Sequence, residues 1–220
     1  MRFDALLFDF DGVLIDSEYE GNRQLAAWLS AAGHPTTPEQ AMVEFMGYAG
    51  ADFLARIATY IGGPVPDDFH AARAAEDARV MAAGIDAVDG AVAFVRALPS
   101  DLPRAVVSSS STQWIRRHLD HIGLGDAFGD HVYSGREHVA RGKPAPDLYL
   151  YGAARLGVAI ERCAIIEDSP VGATGAVASG GYVIGFCAGL HCAADHADRL
   201  QAIGVDSIAH DFTEIRRLLD

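Results

Sequence analysis

The stretch LLFDFDGVLID, residues 6–16, decides how the rest of the chain is read. It starts as an apolar run of strand length, breaks at Asp9, breaks again at Asp11, and turns at Gly12 before becoming apolar once more. A strand apolar on both faces belongs inside a covered sheet. Two carboxylates at its end are costly to bury unless something balances them.

Runs of the same kind recur. The first spans Ala5–Phe10, and others cover Ala105–Ser108, His131–Ser134, Cys163–Ile166 and Tyr182–Phe186, with a weaker one at Ser207–His210. Helical spacing separates them. Val88, Val92, Val95 and Leu98 share a face, as do Trp114, Ile115, Leu119 and Ile122. Leu148, Tyr151 and Leu156 form a third face, and Ile215, Leu218 and Leu219 close the chain. Strands alternating with helices predict an α/β fold: a doubly wound, mostly parallel, Rossmann-like sheet covered on both faces.

The first connection is different. From Asp16 to about Asp86 no strand is apparent, and helical stretches stand at Glu20–Ala32, Glu39–Met46, Ala51–Ile61 and Asp67–Ala83. A structureless loop of that length would be suspect. Residues 16–86 therefore read as an inserted helical cap domain, and residues 1–15 with 87–220 as the α/β core. The cap is expected above the C-terminal ends of the strands, where open α/β sheets bind ligands.

Composition narrows the partners. The chain has 220 residues, half of them hydrophobic, and a formal net charge of −13. That charge opposes nucleic acid and anionic membrane surfaces. No stretch reaches the ~18 apolar residues of a membrane span. Cys163, Cys187 and Cys192 show no disulfide-framework spacing, and Met1-Arg2-Phe3-Asp4 shows no leader pattern, so a cytoplasmic protein with reduced thiols is expected. A monomer or small homo-oligomer is expected. Among 17 basic residues Lys143 alone is lysine. In a chain that otherwise uses arginine, it marks a candidate position for a compact ammonium charge.

Polar residues cluster where strand-like runs end. Asp9 and Asp11 follow the first, Ser108 ends the second, and Glu167 and Asp168 follow the run at Cys163–Ile166. Lys143 lies in the loop GKPAPD, stiffened by Pro144 and Pro146. In a doubly wound sheet all of these can meet in one crevice. Four acids there would repel one another unless neutralised, and Mg²⁺ suits a few carboxylates with water and substrate oxygens. Lys143 and the Ser108 hydroxyl would stand beside the metal as donors, an arrangement that suits a phosphoryl group. One carboxylate of a D-x-D pair can attack phosphorus while the other moves the proton. The residues alone do not say which of Asp9 and Asp11 does which.

Taken together, DFDGVLIDS, VVSSSST, GKPAPD and IIEDSPVGA resemble the four ordered motifs of the haloacid dehalogenase superfamily, in its phosphatase and phosphoglucomutase branch with a helical cap. The resemblance spans essentially the whole chain. It implies Asp9 as nucleophile and Mg²⁺ ligand, and Asp11 as general acid/base with its main-chain carbonyl on the metal. Ser108, Lys143 and the backbone amide of Ser109 would grip the phosphoryl group. Asp168 would be the second carboxylate on Mg²⁺, with Glu167 ligating directly or through water. The substrate implied is a small phosphorylated metabolite, such as a sugar phosphate or phosphosugar acid.

Other chemistries of the superfamily fit less well. A dehalogenase lacks the second acid, present here as Asp11. A phosphonate hydrolase needs a cap lysine, and residues 16–86 contain none. A β-phosphoglucomutase-like enzyme carries a His and an Arg where Gly21 and Gly50 stand. It remains an alternative, as does a catalytically silent phosphometabolite-binding protein.

The remaining features read as structural. One serine of Ser108–Ser111 is expected to cap the following helix, with Ser110 and Ser111 as candidates. Trp28 and Trp114 are expected to be packing residues. HCAADH, residues 191–196, offers zinc-ligand types without a fourth ligand at finger-like spacing, and reads as a solvated loop leading into a helix. SGGYVIG lacks the order of a dinucleotide site. Gly47–Asp52 is the candidate specificity loop, and Arg23 and Arg56 are expected to be solvated surface residues.

Overall fold

The computed structural model describes residues 2–45 and 50–220. The chain divides into two compact units, Met1–Asp16 with Gly84–Asp220, and Ser17–Ala83.

The first unit is built on six parallel strands. These are β1 (Ala5–Phe8), β2 (Arg104–Ser108), β3 (Val132–Ser134), β4 (Cys163–Glu167), β5 (Tyr182–Phe186) and β6 (Ser207–Ala209), in the spatial order β3-β2-β1-β4-β5-β6. Every neighbouring pair is parallel, with Phe8 opposite both Val106 and Ile166. The order reverses direction between β1 and β4, so the crevice at their carboxyl ends is where a ligand would be expected. All four residues of β1 are buried, as an apolar run covered on both faces requires. On one face Leu7, Val107, Tyr149, Ile165 and Val183 belong to a single core cluster. Burial of such side chains stabilises the fold by about 1.5–3 kcal/mol each.

The runs read from the sequence match the strands closely, with small differences. β1 ends at Phe8, two residues before the apolar run does. There the Phe10 carbonyl accepts the N–H groups of Leu14 and Ile15, and Gly12 takes φ 80, so the chain leaves the sheet in a tight turn. The face expected over Val88–Leu98 is helical only in part. Its helix is only Ala91–Arg96, preceded by Gly90 at φ 81, although Val88, Val95 and Leu98 are all buried. The division between units falls at Ser17–Ala83 rather than at 16–86. Asp16 donates its N–H to the Asp86 carbonyl, Val88 donates to Leu14, and Ile15 bridges Ala87, so these residues belong with the sheet.

Among the described residues, the second unit contains four helices, α1 (Ser17–Ala31), α2 (Pro38–Phe45), α3 (Gly50–Ile61) and α4 (Phe69–Ala83). Thr37 and Gln40 form a reciprocal capping box at the start of α2, at 2.8 and 3.2 Å. Leu25, Leu29, Ala41, Phe45, Ile57 and Phe69 make the core of this unit. Trp28 stacks edge-on against Phe69 as a packing residue. In the first unit the numbering of helices continues with α5 (Ala91–Arg96), α6 (Thr112–His121), α7 (Asp147–Leu156), α8 (Pro170–Ser179), α9 (His196–Ile203) and α10 (Phe212–Leu219). Residues 47–49 of the expected specificity loop lie outside the described residues.

Candidate active site

The parallel register of β1 and β4 brings three acids together. The Asp9 N–H continues the ladder by donating to the Ile166 carbonyl at 2.9 Å, which sets Asp9 beside the end of β4. Carboxylate oxygens of Asp9, Glu167 and Asp168 lie within 4.8 Å of one another, and all three residues are buried.

Lys143 reaches this cluster from the loop between β3 and α7. Its Nζ donates to Asp9 Oδ1 at 2.6 Å and to Glu167 Oε1 at 2.5 Å. The side chain is 4% exposed, and the Lys143–Pro144 peptide is cis. Burial works to lower the lysine pKa, but the carboxylates of Asp9 and Glu167 outweigh it and hold the ammonium above its ordinary value. Burial pushes the Asp9 carboxyl well above the usual range, Glu167 and Asp168 push the same way, and Lys143 opposes them.

Glu167 is fully buried and its oxygens are well supplied with donors. Oε1 accepts from Lys143 and from the Tyr149 hydroxyl at 2.8 Å, while Oε2 accepts from Ser169 N at 3.0 Å and Oγ at 3.1 Å. A side chain at Gly172 would collide with this carboxylate, so the first turn of α8 must be glycine there. Burial raises the Tyr149 hydroxyl pKa well above its usual value, and the Glu167 charge adds to it, so Tyr149 keeps its proton and donates a hydrogen bond.

Asp11 is held separately, toward the end of β2. Its Oδ2 accepts from Ser110 Oγ at 2.6 Å and from Ser108 Oγ at 3.3 Å, and its Oδ1 accepts from Trp114 Nε1 at 3.1 Å. Trp114 is therefore more than the packing residue expected of it: its indole N–H holds a candidate catalytic carboxylate. Ser108 Oγ also accepts the Ser110 N–H at 3.0 Å. Ser111 caps α6 by accepting the Trp114 N–H at 3.2 Å, which settles the cap between the two candidates. Ser109 is exposed beside Ser108. Arg23 and Arg56 are engaged by Glu20 and Glu44, both at 2.6 Å.

The largest departure from expectation is HCAADH. It leads into α9 as expected and Ala193–Asp195 are exposed, but His191 and His196 are both buried. His191 Nε2 lies 2.8 Å from Asp168 Oδ2, and His196 Nε2 lies 2.6 Å from the Asp168 main-chain carbonyl. Sequence distance hid this. The available signal was position: the segment follows β5, so it reaches the same edge of the sheet as Asp9, Ser108 and Asp168. Burial pushes the Cys192 thiol up to about 12, so it stays protonated.

The donor set suits a hard divalent cation. Asp9, Glu167 and Asp168 offer carboxylate oxygens as possible ligands, three buried acids against the one Lys143 ammonium. Mg²⁺ takes such ligands in small number.

Comparison with known proteins agrees with this geometry. A profile described as "Hydrolase: haloacid dehalogenase-like hydrolase" matches residues 3–180. Hexitol phosphatase A of Escherichia coli K12 is 32% identical over 218 residues, covering 98% of this chain and 94% of that protein. The 6-phosphogluconate phosphatase of the same organism is 29% identical over 192 residues, covering 86% of this chain and 85% of that protein. A crystal structure of a haloacid dehalogenase family hydrolase from Deinococcus radiodurans R1, with bound phosphate and sodium, superposes with a TM-score of 0.89 at 33% identity, over 99% of this chain and 95% of that one. With that coverage and identity, the chain belongs to the haloacid dehalogenase-like hydrolases, among the phosphatases of that family.

Proposed function

We propose that the chain is a Mg²⁺-dependent phosphatase of a small sugar phosphate or phosphosugar acid, working through an aspartyl-phosphate on Asp9. The observation that carries this is Lys143 bridging Asp9 and Glu167, inside the protein, at the carboxyl ends of adjacent strands. The substrate class rests on the relatives, which are phosphatases of hexitol phosphates and of 6-phosphogluconate by name.

An attacking carboxylate must be ionised. Burial opposes that at Asp9, and the Lys143 ammonium 2.6 Å away favours it. In the first half-reaction an Asp9 oxygen bonds to phosphorus in line with the leaving group, the bond from phosphorus to the alcohol oxygen breaks, and Asp11 gives that oxygen its proton. In the second, Asp11 takes a proton from water, the water oxygen bonds to phosphorus, and the acyl-phosphate bond to Asp9 breaks. Lys143, Ser108 Oγ and the Ser109 amide hold the phosphoryl oxygens. Trp114 and Ser110 keep Asp11 oriented for both proton transfers, while the one Ser108 hydroxyl hydrogen, directed at Asp11 over 3.3 Å, turns to the phosphoryl group when it binds.

Asp9, Asp168 and the main-chain carbonyl of Asp11 would hold Mg²⁺, which when bound supplies charge stabilisation at the phosphoryl oxygens. Glu167 spends its oxygens on Lys143, Tyr149 and Ser169, which favours a role in fixing Lys143 and contact with the ion through water. No described helix is long and apolar enough to cross a membrane.

The test is phosphate release. Wild type with Mg²⁺ is expected to hydrolyse p-nitrophenyl phosphate and to favour members of a panel of sugar phosphates and phosphosugar acids, while Asp9→Asn loses turnover. Inactivity on every phosphomonoester refutes the enzyme. Formation of glucose 6-phosphate from β-glucose 1-phosphate with a bisphosphate activator replaces it by the mutase.

A further inference from the structure

HCAADH finds no role in the chemistry above, yet two of its side chains converge on one proposed metal ligand. We propose that His191 and His196 form a clamp that fixes the orientation of Asp168, one histidine on its carboxylate and the other on its main chain. The inference rests on the reading of Asp168 as a ligand of the divalent cation.

The proton placement follows from the partners. A main-chain carbonyl only accepts, so the His196 Nε2 that lies 2.6 Å from Asp168 O carries a hydrogen. The carboxylate likewise accepts, so His191 Nε2 donates to Oδ2 at 2.8 Å. Both side chains of that second pair are 3% exposed, so water does not compete for the bond.

Packing holds the clamp in register. A Cβ at Gly12 would collide with the Asp168 carboxylate and come within 2.9 Å of His191 Cε1. A Cβ at Gly189 would collide with the His191 ring. The two imidazoles stand nearly perpendicular, at 87° with centroids 5.8 Å apart, so each can address a different part of the same residue. The spacing in HxxxxH serves this: His191 comes from the loop after β5, and His196 opens α9.

The competing use of these residues is as ligands themselves. His191, Cys192 and His196 have ligand atoms within 4.8 Å of one another, and Cys192 Sγ lies 3.6 Å from His191 Nε2. A soft or borderline metal would fit such a set. The clamp is favoured because the Nε2 atoms of both histidines are already directed at Asp168.

Mn²⁺ binding, followed by the loss of the free-ion electron paramagnetic resonance signal, reads the clamp without relying on turnover. Outer-sphere partners of metal ligands are worth roughly 10–100-fold in affinity. His191→Met is expected to weaken Mn²⁺ binding by about that factor, and His191→Gln, which restores an N–H near Nε2, to recover most of it, with circular dichroism unchanged in both. His196→Met and His196→Gln provide the same pair at the second position if the first does not fold. Equal Mn²⁺ affinity for a folded Met variant and wild type overturns the clamp, as does a Gln variant no better than Met. Asp168→Asn separates the levels: if it binds Mn²⁺ as wild type does, the metal-site reading itself fails. A Co²⁺ adduct of wild type with thiolate charge-transfer absorption, lost in Cys192→Ser, makes the histidines ligands and overturns the clamp.

Discussion

Lys143→Met removes an ammonium that touches two buried carboxylates. Its Nζ is 2.6 Å from Asp9 Oδ1 and 2.5 Å from Glu167 Oε1. At an effective dielectric of about 20, each contact is worth roughly 6 kcal/mol of gross attraction. The cost of desolvating the ammonium offsets several kcal/mol of that, and a stranded carboxylate can take up a proton. Truncating one partner of a buried pair therefore costs about 3–5 kcal/mol net. For a chain of this length, ~2–4 °C per kcal/mol turns that into a fall of about 6–20 °C in the midpoint of thermal unfolding. The assay is calorimetric unfolding in metal-free buffer with EDTA, followed by titration of Mg²⁺. The variant should gain more from Mg²⁺ than wild type does, because a divalent cation then meets carboxylates that no ammonium has balanced, and binding only the native state stabilises it. Lys143→Arg should fall between the two, keeping the charge without the compact shape. A metal-free midpoint for Lys143→Met within ~2 °C of wild type would falsify the reasoning, since the two acids would then not depend on the lysine.

Two other perturbations probe the surroundings of the site. Trp114→Phe removes the N–H that reaches Asp11 at 3.1 Å, and leaving an acceptor without its partner costs about 1–3 kcal/mol, so kcat should fall roughly 10- to 100-fold with KM little changed. Steady-state kinetics with kcat within twofold of wild type would remove Trp114 from the account of Asp11. His118 is buried and accepts the Ile85 N–H at 3.2 Å through Nδ1, and burial holds its pKa below the usual 6.5. The unfolded chain thus takes up this proton first, so the stability tied to the neutral ring is complete above about pH 6.5 and is lost as pH falls toward the lower folded value. His118→Phe should flatten that decline in urea unfolding measured at a series of pH values. An unchanged pH slope would mean that other groups set it.

The fold was legible because its elements repeat one local rule. The apolar run Tyr182–Phe186 coincides with β5, and the other runs coincide with their strands to within one or two residues, since each is a short apolar run bounded by polar residues or a turn. The errors occur where the backbone serves a turn. Val88 and Leu98 have helical spacing and are buried, but Gly90 at φ 81 interrupts the pattern, and only Ala91–Arg96 is helix. Of the site, Asp9, Glu167, Asp168 and Lys143 were named from strand ends and motifs, and the structure brings all four together. Tyr149, Trp114, His191 and His196 were missed as partners of the acids. Their side chains reach the site from helices and a late loop, and each has an ordinary packing explanation when read alone. What distinguishes them is a single polar atom aimed at a carboxylate or carbonyl, and periodicity does not register direction.

The lone lysine among the 17 basic residues occupies a place whose geometry suits an ammonium. The space it occupies is 4% exposed and bounded by Asp9, Glu167 and the ring of Tyr149, whose centroid is 5.3 Å from Nζ. A guanidinium is planar and offers its donors as a fixed fork, which suits one carboxylate met edge-on. Here the two acceptor oxygens belong to different residues, one just past the end of β1 and one at the end of β4, and both are reached from one nitrogen. An ammonium can rotate its three donors to meet them and keep one for a phosphoryl oxygen. In surface pairs such as Arg23–Glu20 and Arg162–Asp4 the arginine is about half exposed, so solvent takes up the remaining guanidinium donors. Inside the acidic cluster no solvent does so. Geometry thus favours lysine over arginine at residue 143, beside the proposed nucleophile.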